Sequence, residues 1–308
     1  MKATLPGPLR ARAEAAYLGL ALGDALGATV EFMTPREIVA RHGVHRELCG
    51  GGWLRLRPGK VTDDTTMALA LGQAILVQGG RVDALACAHA FDTWMRSKPP
   101  DIGNTVRRNL IHFRTTGTPL APASEHDAGN GAAMRLLPAA LVTLGADEAE
   151  VIAAVHTQAR VTHNNALSDC ACQFLALAIQ DALRGACLRD LYRKRIEPFI
   201  KHYPLFAWRR RRHDNPSGYI IDTLRTVLHA LMNSGDFESC LISVVNDGGD
   251  ADTTGAIAGM LAGALYGLEA LPARWLRALD GDIRRQVSEQ ALALLALSPA
   301  ARGGRAFS

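Results

Sequence analysis

Two short acidic segments hold the residues most able to do chemistry. They read Thr62-Asp63-Asp64-Thr65-Thr66 and Asp250-Ala251-Asp252-Thr253-Thr254. Each opens a stretch rich in Ala, Leu and Gly. If the segments meet in the fold, their carboxylates repel: at an effective dielectric near 20, two of them ~4 Å apart repel by about 4 kcal/mol. Hard cations relieve that repulsion. The ordinary alternative is helix capping, since Asp and Thr are good N-caps and acids in a first turn suit the helix dipole. Capping is the simpler account of either segment alone, but it does not explain a distant twin. Carboxylate and hydroxyl oxygens select Mn²⁺, Mg²⁺ or Ca²⁺ rather than zinc. Four aspartates plus Glu31 exceed the usual anionic complement of one ion, so two ions are expected.

Helices must position these residues. Helical periodicity marks 10–28, 64–78, 83–96, 131–144, 148–159, 165–184, 219–232, 253–268 and 283–296, with a further segment beginning near Asn104. Alternating β-branched runs are nearly absent. Glycine recurs every fourth residue at Gly19, Gly23 and Gly27, and again at Gly255, Gly259, Gly263 and Gly267. Each series falls on one helix face. Glycine costs a helix about 1 kcal/mol against alanine, and close approach of two helices compensates. That packing would carry Asp24 and Glu31 to the second acidic segment. Gly248-Gly249 forms a tight loop that aims Asp250 and Asp252.

At 308 residues with 48% hydrophobic and 6% aromatic content, the chain favours helix over sheet. No linker divides it, so one domain over 1–308 is expected, with its core at 10–298 and a frayed tail at 299–308. A net charge of +4 is too mild to indicate nucleic acid. Arg209 to Arg212 with His213, after Trp208, forms either a solvated loop or a partner-binding patch. Cys170 and Cys172 read as small core residues in a reducing compartment. There is no apolar signal core. The uncharged stretch Thr253 to Leu268 is shorter than the ~18 residues of a membrane span. A cytoplasmic location without a transmembrane segment is expected.

In chain order, Gly23-Asp24-Ala25-Leu26-Gly27 with Glu31, Thr62-Asp63-Asp64-Thr65, Gly129-Asn130-Gly131 and Gly248-Gly249-Asp250-Ala251-Asp252-Thr253-Thr254-Gly255 resemble the ADP-ribosylglycohydrolases. The resemblance runs from about residue 15 to 270. Pro99-Pro100-Asp101-Ile102-Gly103-Asn104-Thr105 and Asn215-Pro216-Ser217-Gly218-Tyr219 through Asp222-Thr223-Leu224 resemble the branch acting on nitrogenase reductase. The resemblance implies an all-α orthogonal multi-helix bundle with a dinuclear centre, holding Mn²⁺ or, alternatively, Mg²⁺. The implied metal ligands are Thr62, Asp63, Asp64, Asp250, Asp252 and Thr253. Glu31 lies beside the ions as ligand or base, and Asp101 is the acid/base residue near the ribose. Gly103, Asn104, Gly129, Asn130, Gly131, His163 and Tyr219 line the ADP-ribose cleft.

Taken singly, these residues have plainer readings. Asp101 could cap the helix near Asn104, His163 could start a helix, Tyr219 could pack, and the glycine loop could be a turn. The implied reaction hydrolyses the N-glycosidic bond between ADP-ribose and an arginine of a modified protein, with nitrogenase reductase as the expected target. Serine and ester linkages, a dinuclear phosphatase and an inactive relative are the alternatives. A monomer is implied, with a nitrogen-signalling regulatory protein as a partner that recruits it reversibly to the membrane.

Overall fold

The computed structural model describes residues 6–208 and 214–303. The basic run at 209–213 and the end of the tail at 304–308 lie outside the described residues. Fifteen α-helices are present among the described residues. The first eight are α1 (Gly7–Gly27), α2 (Pro35–His42), α3 (Asp63–Val77), α4 (Ala84–Arg96), α5 (Asn104–Thr116), α6 (Leu137–Val142), α7 (Glu148–Ala159) and α8 (Ala166–Leu183). The rest are α9 (Leu188–Leu191), α10 (Glu197–His202), α11 (Ile220–Asn233), α12 (Phe237–Val245), α13 (Ala251–Tyr266), α14 (Ala273–Ala278) and α15 (Gly281–Leu297). The only β pairings among the described residues are two isolated bridges. The protein is therefore all-α, as expected.

The centre of the bundle is an antiparallel pair, α1 against α13. A Cβ added to Gly19 would lie 2.2 Å from the Gly259 carbonyl oxygen, and one on Gly23 would lie 2.0 Å from that of Gly255. One on Gly27 would meet Ala251 at 2.1 Å, and one on Gly263 would meet Ala15 at 2.2 Å. The four-residue glycine spacing therefore does pack the two backbones together. Gly267 is the exception: it ends α13 at φ 82° and faces no backbone. Every residue of α13 from Ala251 to Leu265 is buried, as befits a helix apolar all round. Gly23→Ala should cost about 3 kcal/mol, because backbone cannot give way as a side chain tip can. Gly281→Ala, with open space around it, is the control. Urea unfolding would read the difference, and equal midpoints would contradict the close contact.

Two expectations need correction. The helix expected at 131–144 is confined to Leu137–Val142. Pro138 has no N–H to donate to an earlier carbonyl, so a helix can begin at this proline but not run through it. The helices α2, α9, α10, α12 and α14 were not expected. Their shortness hides the periodicity, although Thr34-Pro35-Arg36-Glu37 spells a capping box that is fully formed. Cys170 and Cys172 are buried as expected. Among the described residues one helix, α8, is long and apolar enough to cross a membrane, and 83% of it is buried inside the fold.

Candidate metal centre

The end of α1 and the start of α13 meet where the glycine seam closes, and α3 points its N-terminus at the same spot. Ligand atoms of Glu31, Asp250 and Asp252 lie within 4.8 Å of one another. So do those of Asp63, Asp64 and Asp252. Asp252 belongs to both groups. Thr62 and Asp250 occupy the N-cap positions of α3 and α13, yet neither side chain makes a capping bond. Capping is thus set aside: these side chains turn away from the helix and into the acidic site.

Asp24, fully buried in α1, organises the first segment. Its carboxylate accepts from the Thr62 amide (2.9 and 3.1 Å) and hydroxyl (2.9 Å). It also accepts from the Thr65 amide (3.0 Å) and hydroxyl (2.5 Å). The Thr62 hydroxyl also lies 3.2 Å from both Asp64 Oδ2 and Asp252 Oδ2. That of Thr253 lies 3.4 Å from Asp64 Oδ2. The second segment is set by its glycines: Gly248 and Gly249 have φ of 71° and 63°, the left-handed region glycine favours. Asn130 Nδ2 donates to Asp250 Oδ2 at 2.5 Å and to Thr223 Oγ1 at 3.0 Å. Asn130 therefore holds a carboxylate rather than standing free in the cleft.

None of these carboxylates makes an ion pair among the described residues. Burial raises Glu31 to about 8, with Asp250, Asp101 and Asp63 adding to the rise against the Trp53 hydrogen bond. Burial also raises Asp63 to about 8, and Asp101 and Asp24 add to it. Asp64 and Asp252 are driven well above the carboxylate range by burial and by their acidic neighbours. Asp64 Oδ1 is buried without a hydrogen-bond partner. A buried carboxyl oxygen without a partner, amid all-oxygen donors, fits a hard divalent cation that would hold the carboxylate ionised.

The sign of the pH dependence follows. Folded-state values above the unfolded ones mean that the unfolded chain releases these protons first. Without metal, the contribution of these groups to stability is greatest below the unfolded carboxylate range and falls as pH rises toward about 8. Thermal melts of chelator-treated protein should show a higher Tm near pH 5 than near pH 8, whereas added Mn²⁺ should stabilise most near pH 8. A metal-free Tm that climbs from pH 5 to 8 would contradict this arrangement.

Beside the acids lies a cleft of about 270 Å³, bordered by Glu31, Asp63, Asp101, Gly103, Asn104, Gly129, Asn130, Gly131, His163, Asp250, Asp252 and Thr253. Most of the expected site residues therefore converge. A larger groove of about 840 Å³ lies between α3, α4 and α15, but no acidic cluster faces it. Asp101 does not cap α5: Gly103 holds that position, and Asp101 Oδ1 accepts from the Ile102 amide at 2.7 Å.

Tyr219 is not part of the cleft wall. It pairs through its backbone with Gly129, anchoring the 129–131 loop, and its side chain is 42% exposed. The same glycines face an imidazole, since a Cβ on Gly129 would lie 2.9 Å from His163 Nε2. Three contributors escaped the sequence reading in whole or part. The Asp24 clamp is one. Phe32 and Trp53 are the others, an exposed aromatic pair with ring centroids 5.5 Å apart. Trp53 Nε1 donates to Glu31 Oε2 at 2.7 Å.

Comparison with known proteins places this geometry. Residues 6–303 match the family model described as ADP-ribosylglycohydrolase. The chain is 49% identical to the ADP-ribosyl-[dinitrogen reductase] glycohydrolase of Rhodospirillum rubrum, over 93% of this chain and 96% of that one. It is 37% identical to the ADP-ribosylarginine hydrolase Tri1 of Pseudomonas putida (strain GB-1), over 86% and 73%. Among solved structures, one titled ADP-ribosylglycohydrolase-related protein complex superposes with a TM-score of 0.84 at 37% identity, covering 95% of this chain and 99% of that one.

Proposed function

The chain belongs to the ADP-ribosylglycohydrolase family, and from that premise we propose that it removes ADP-ribose from an ADP-ribosylated arginine of a target protein, dinitrogenase reductase. The observation that carries this reading is the double membership of Asp252 in two acidic groups beside the cleft. The R. rubrum relative is named for the dinitrogen reductase linkage and the P. putida relative for ADP-ribosylarginine.

Thr62, Asp63, Asp64, Asp250, Asp252 and Thr253, with Glu31 at their edge, would hold two divalent ions, Mn²⁺ foremost and Mg²⁺ as the alternative. Bound there, such ions supply positive charge and Lewis acidity. In the reaction, the bond between the ribose anomeric carbon and the guanidine nitrogen breaks while a water oxygen bonds to that carbon. The water loses a proton and the leaving guanidine gains one, giving ADP-ribose and unmodified arginine. Arginine is a poor leaving group unless protonated, so a carboxyl must manage protons at the anomeric centre. Asp101, which borders the same cleft as the acids, takes that role, with Glu31 as the second candidate. The cleft's 270 Å³ is below the ~300–1,000 Å³ of pockets for drug-sized ligands. The ribose and its linkage therefore sit inside and the nucleotide reaches the rim, where Phe32 is exposed. A monomer and a nitrogen-signalling partner complete the reading.

The test is a comparison of linkages. Matched substrates carrying ADP-ribose on arginine, on serine or as a small ester are incubated with the Mn²⁺-loaded enzyme. Release from arginine at a rate at least about a hundredfold above the others is expected, a difference of about 2.7 kcal/mol in barrier. Equal or faster release from serine would reassign the substrate.

A further inference from the structure

We propose that Arg135 and Thr162 are positioning residues whose hydrogen bonds fix His163 in the neutral tautomer with its proton on Nε2, so that this edge donates to an acceptor oxygen of the bound substrate. Arg135 is fully buried and forms no ion pair among the described residues. Its guanidinium lies over the Phe91 ring at 4.2 Å. Nε donates to Gln158 Oε1 at 3.0 Å, and Nη2 donates to the Gln158 carbonyl at 3.0 Å and to Thr162 Oγ1 at 2.7 Å. Thr162 is held in turn: its carbonyl accepts from Asn109 Nδ2 at 2.6 Å.

The Thr162 hydroxyl lies 2.8 Å from His163 Nδ1. A hydroxyl has one hydrogen to give. Because it accepts from Arg135, which cannot do otherwise than donate, that hydrogen is free for Nδ1. A proton on Nδ1 would instead aim two donors at one oxygen and leave the hydroxyl hydrogen without an acceptor. With Nδ1 an acceptor, the neutral ring carries its proton on Nε2. That edge faces Gly129 and Gly131, where an added Cβ would come within 2.9 Å and 2.8 Å of the ring. Only glycine leaves room for it. Burial first, then the charges of Arg135 and Arg108, hold the ring's titration down to about 3, which agrees with a neutral donor. An acceptor-only oxygen, such as that of a diphosphate, is the fitting partner. The substrate half of this assignment rests on the hydrolase reading above; the tautomer half does not.

Full-length protein labelled with ¹⁵N-histidine tests it, the His163 signals being those lost in His163→Gln. The expected wild-type spectrum, without substrate, shows an unprotonated Nδ1 and a protonated Nε2 from pH 8 to pH 5. Thr162→Val should move the Nδ1 signal toward that of an unbonded lone pair. It should also raise KM about tenfold, the scale of one buried hydrogen bond, with kcat within about twofold. Thr162→Ser should restore both readouts. A proton on Nδ1, or an imidazolium in that pH range, overturns the proposal. So does a Thr162→Val enzyme with unchanged KM or with its loss confined to kcat. If Thr162→Val fails to fold, the wild-type spectrum decides alone. Because that spectrum needs no substrate, its failure would leave the hydrolase activity standing, and a missing activity would leave the tautomer standing.

Discussion

Asp252→Asn should lower kcat for ADP-ribose release on the order of a thousandfold, about 4 kcal/mol of barrier, while far-UV helicity stays near wild type. The substitution keeps the side chain's volume and removes one charge. That charge is shared by both acidic groups, one with Glu31 and Asp250 and one with Asp63 and Asp64, so no other single carboxylate should weaken both ion sites at once. The metal-free variant should also be more stable than the metal-free wild type. Burial and the neighbouring acids oppose an Asp252 carboxylate, and the amide relieves that repulsion. Any ligand that binds only the native state raises Tm, so Mn²⁺ should shift the wild-type melt upward and leave that of the variant nearly unmoved. Metal content, product release and paired melts read all three effects. An undiminished Mn²⁺ shift in the variant would show that the ions bind elsewhere.

Asp24→Ala should act oppositely on stability. It strips the acceptor from the Thr62 and Thr65 amides and hydroxyls at the buried start of α3. Buried donors left unpaired cost about 1–3 kcal/mol each at most, and relaxation recovers part, so a total near 4 kcal/mol is expected. With the first turn of α3 released, Asp63 and Asp64 lose their placement. Mn²⁺ affinity should then drop by about 10–100-fold, the range seen when a residue supporting a ligand is lost. Urea unfolding and a metal titration check both. Wild-type values in either would mean that the Asp24 network does not position the site.

The contrast between these two aspartates shows what was legible in the chain. The acidic segments stood out because each concentrates its charge in five residues, and Asp252 followed from that pattern. The glycine seam was legible because a spacing of four is a local property of a helix face, and Gly19, Gly23 and Gly27 do meet Gly259, Gly255 and Ala251. Asp24 was legible as a residue carried toward the second acidic segment, whereas its hydrogen bonds go to Thr62 and Thr65 of the first. Its partners lie 38 and 41 residues away, a pairing that no local pattern encodes. Phe32 and Trp53 stayed hidden for the same reason, since loop aromatics have no periodicity to mark them. The family resemblance placed Asn130 and Tyr219 in the cleft, and Asn130 does border it. In the fold, the side chain of Asn130 is occupied by Asp250 and Thr223, and Tyr219 contributes its backbone. Residues 131–136 read as helix by composition, and the rigid ring of Pro138 delays the helix start.

The most direct test of a metal-dependent ADP-ribosylarginine hydrolase is ADP-ribose release from dinitrogenase reductase modified on arginine, using chelator-treated enzyme titrated with Mn²⁺. The account predicts no release above background without metal, and release that rises with Mn²⁺ and saturates once the acidic site is filled. Full release by the metal-free enzyme, or none at saturating Mn²⁺ from a folded protein, would contradict it.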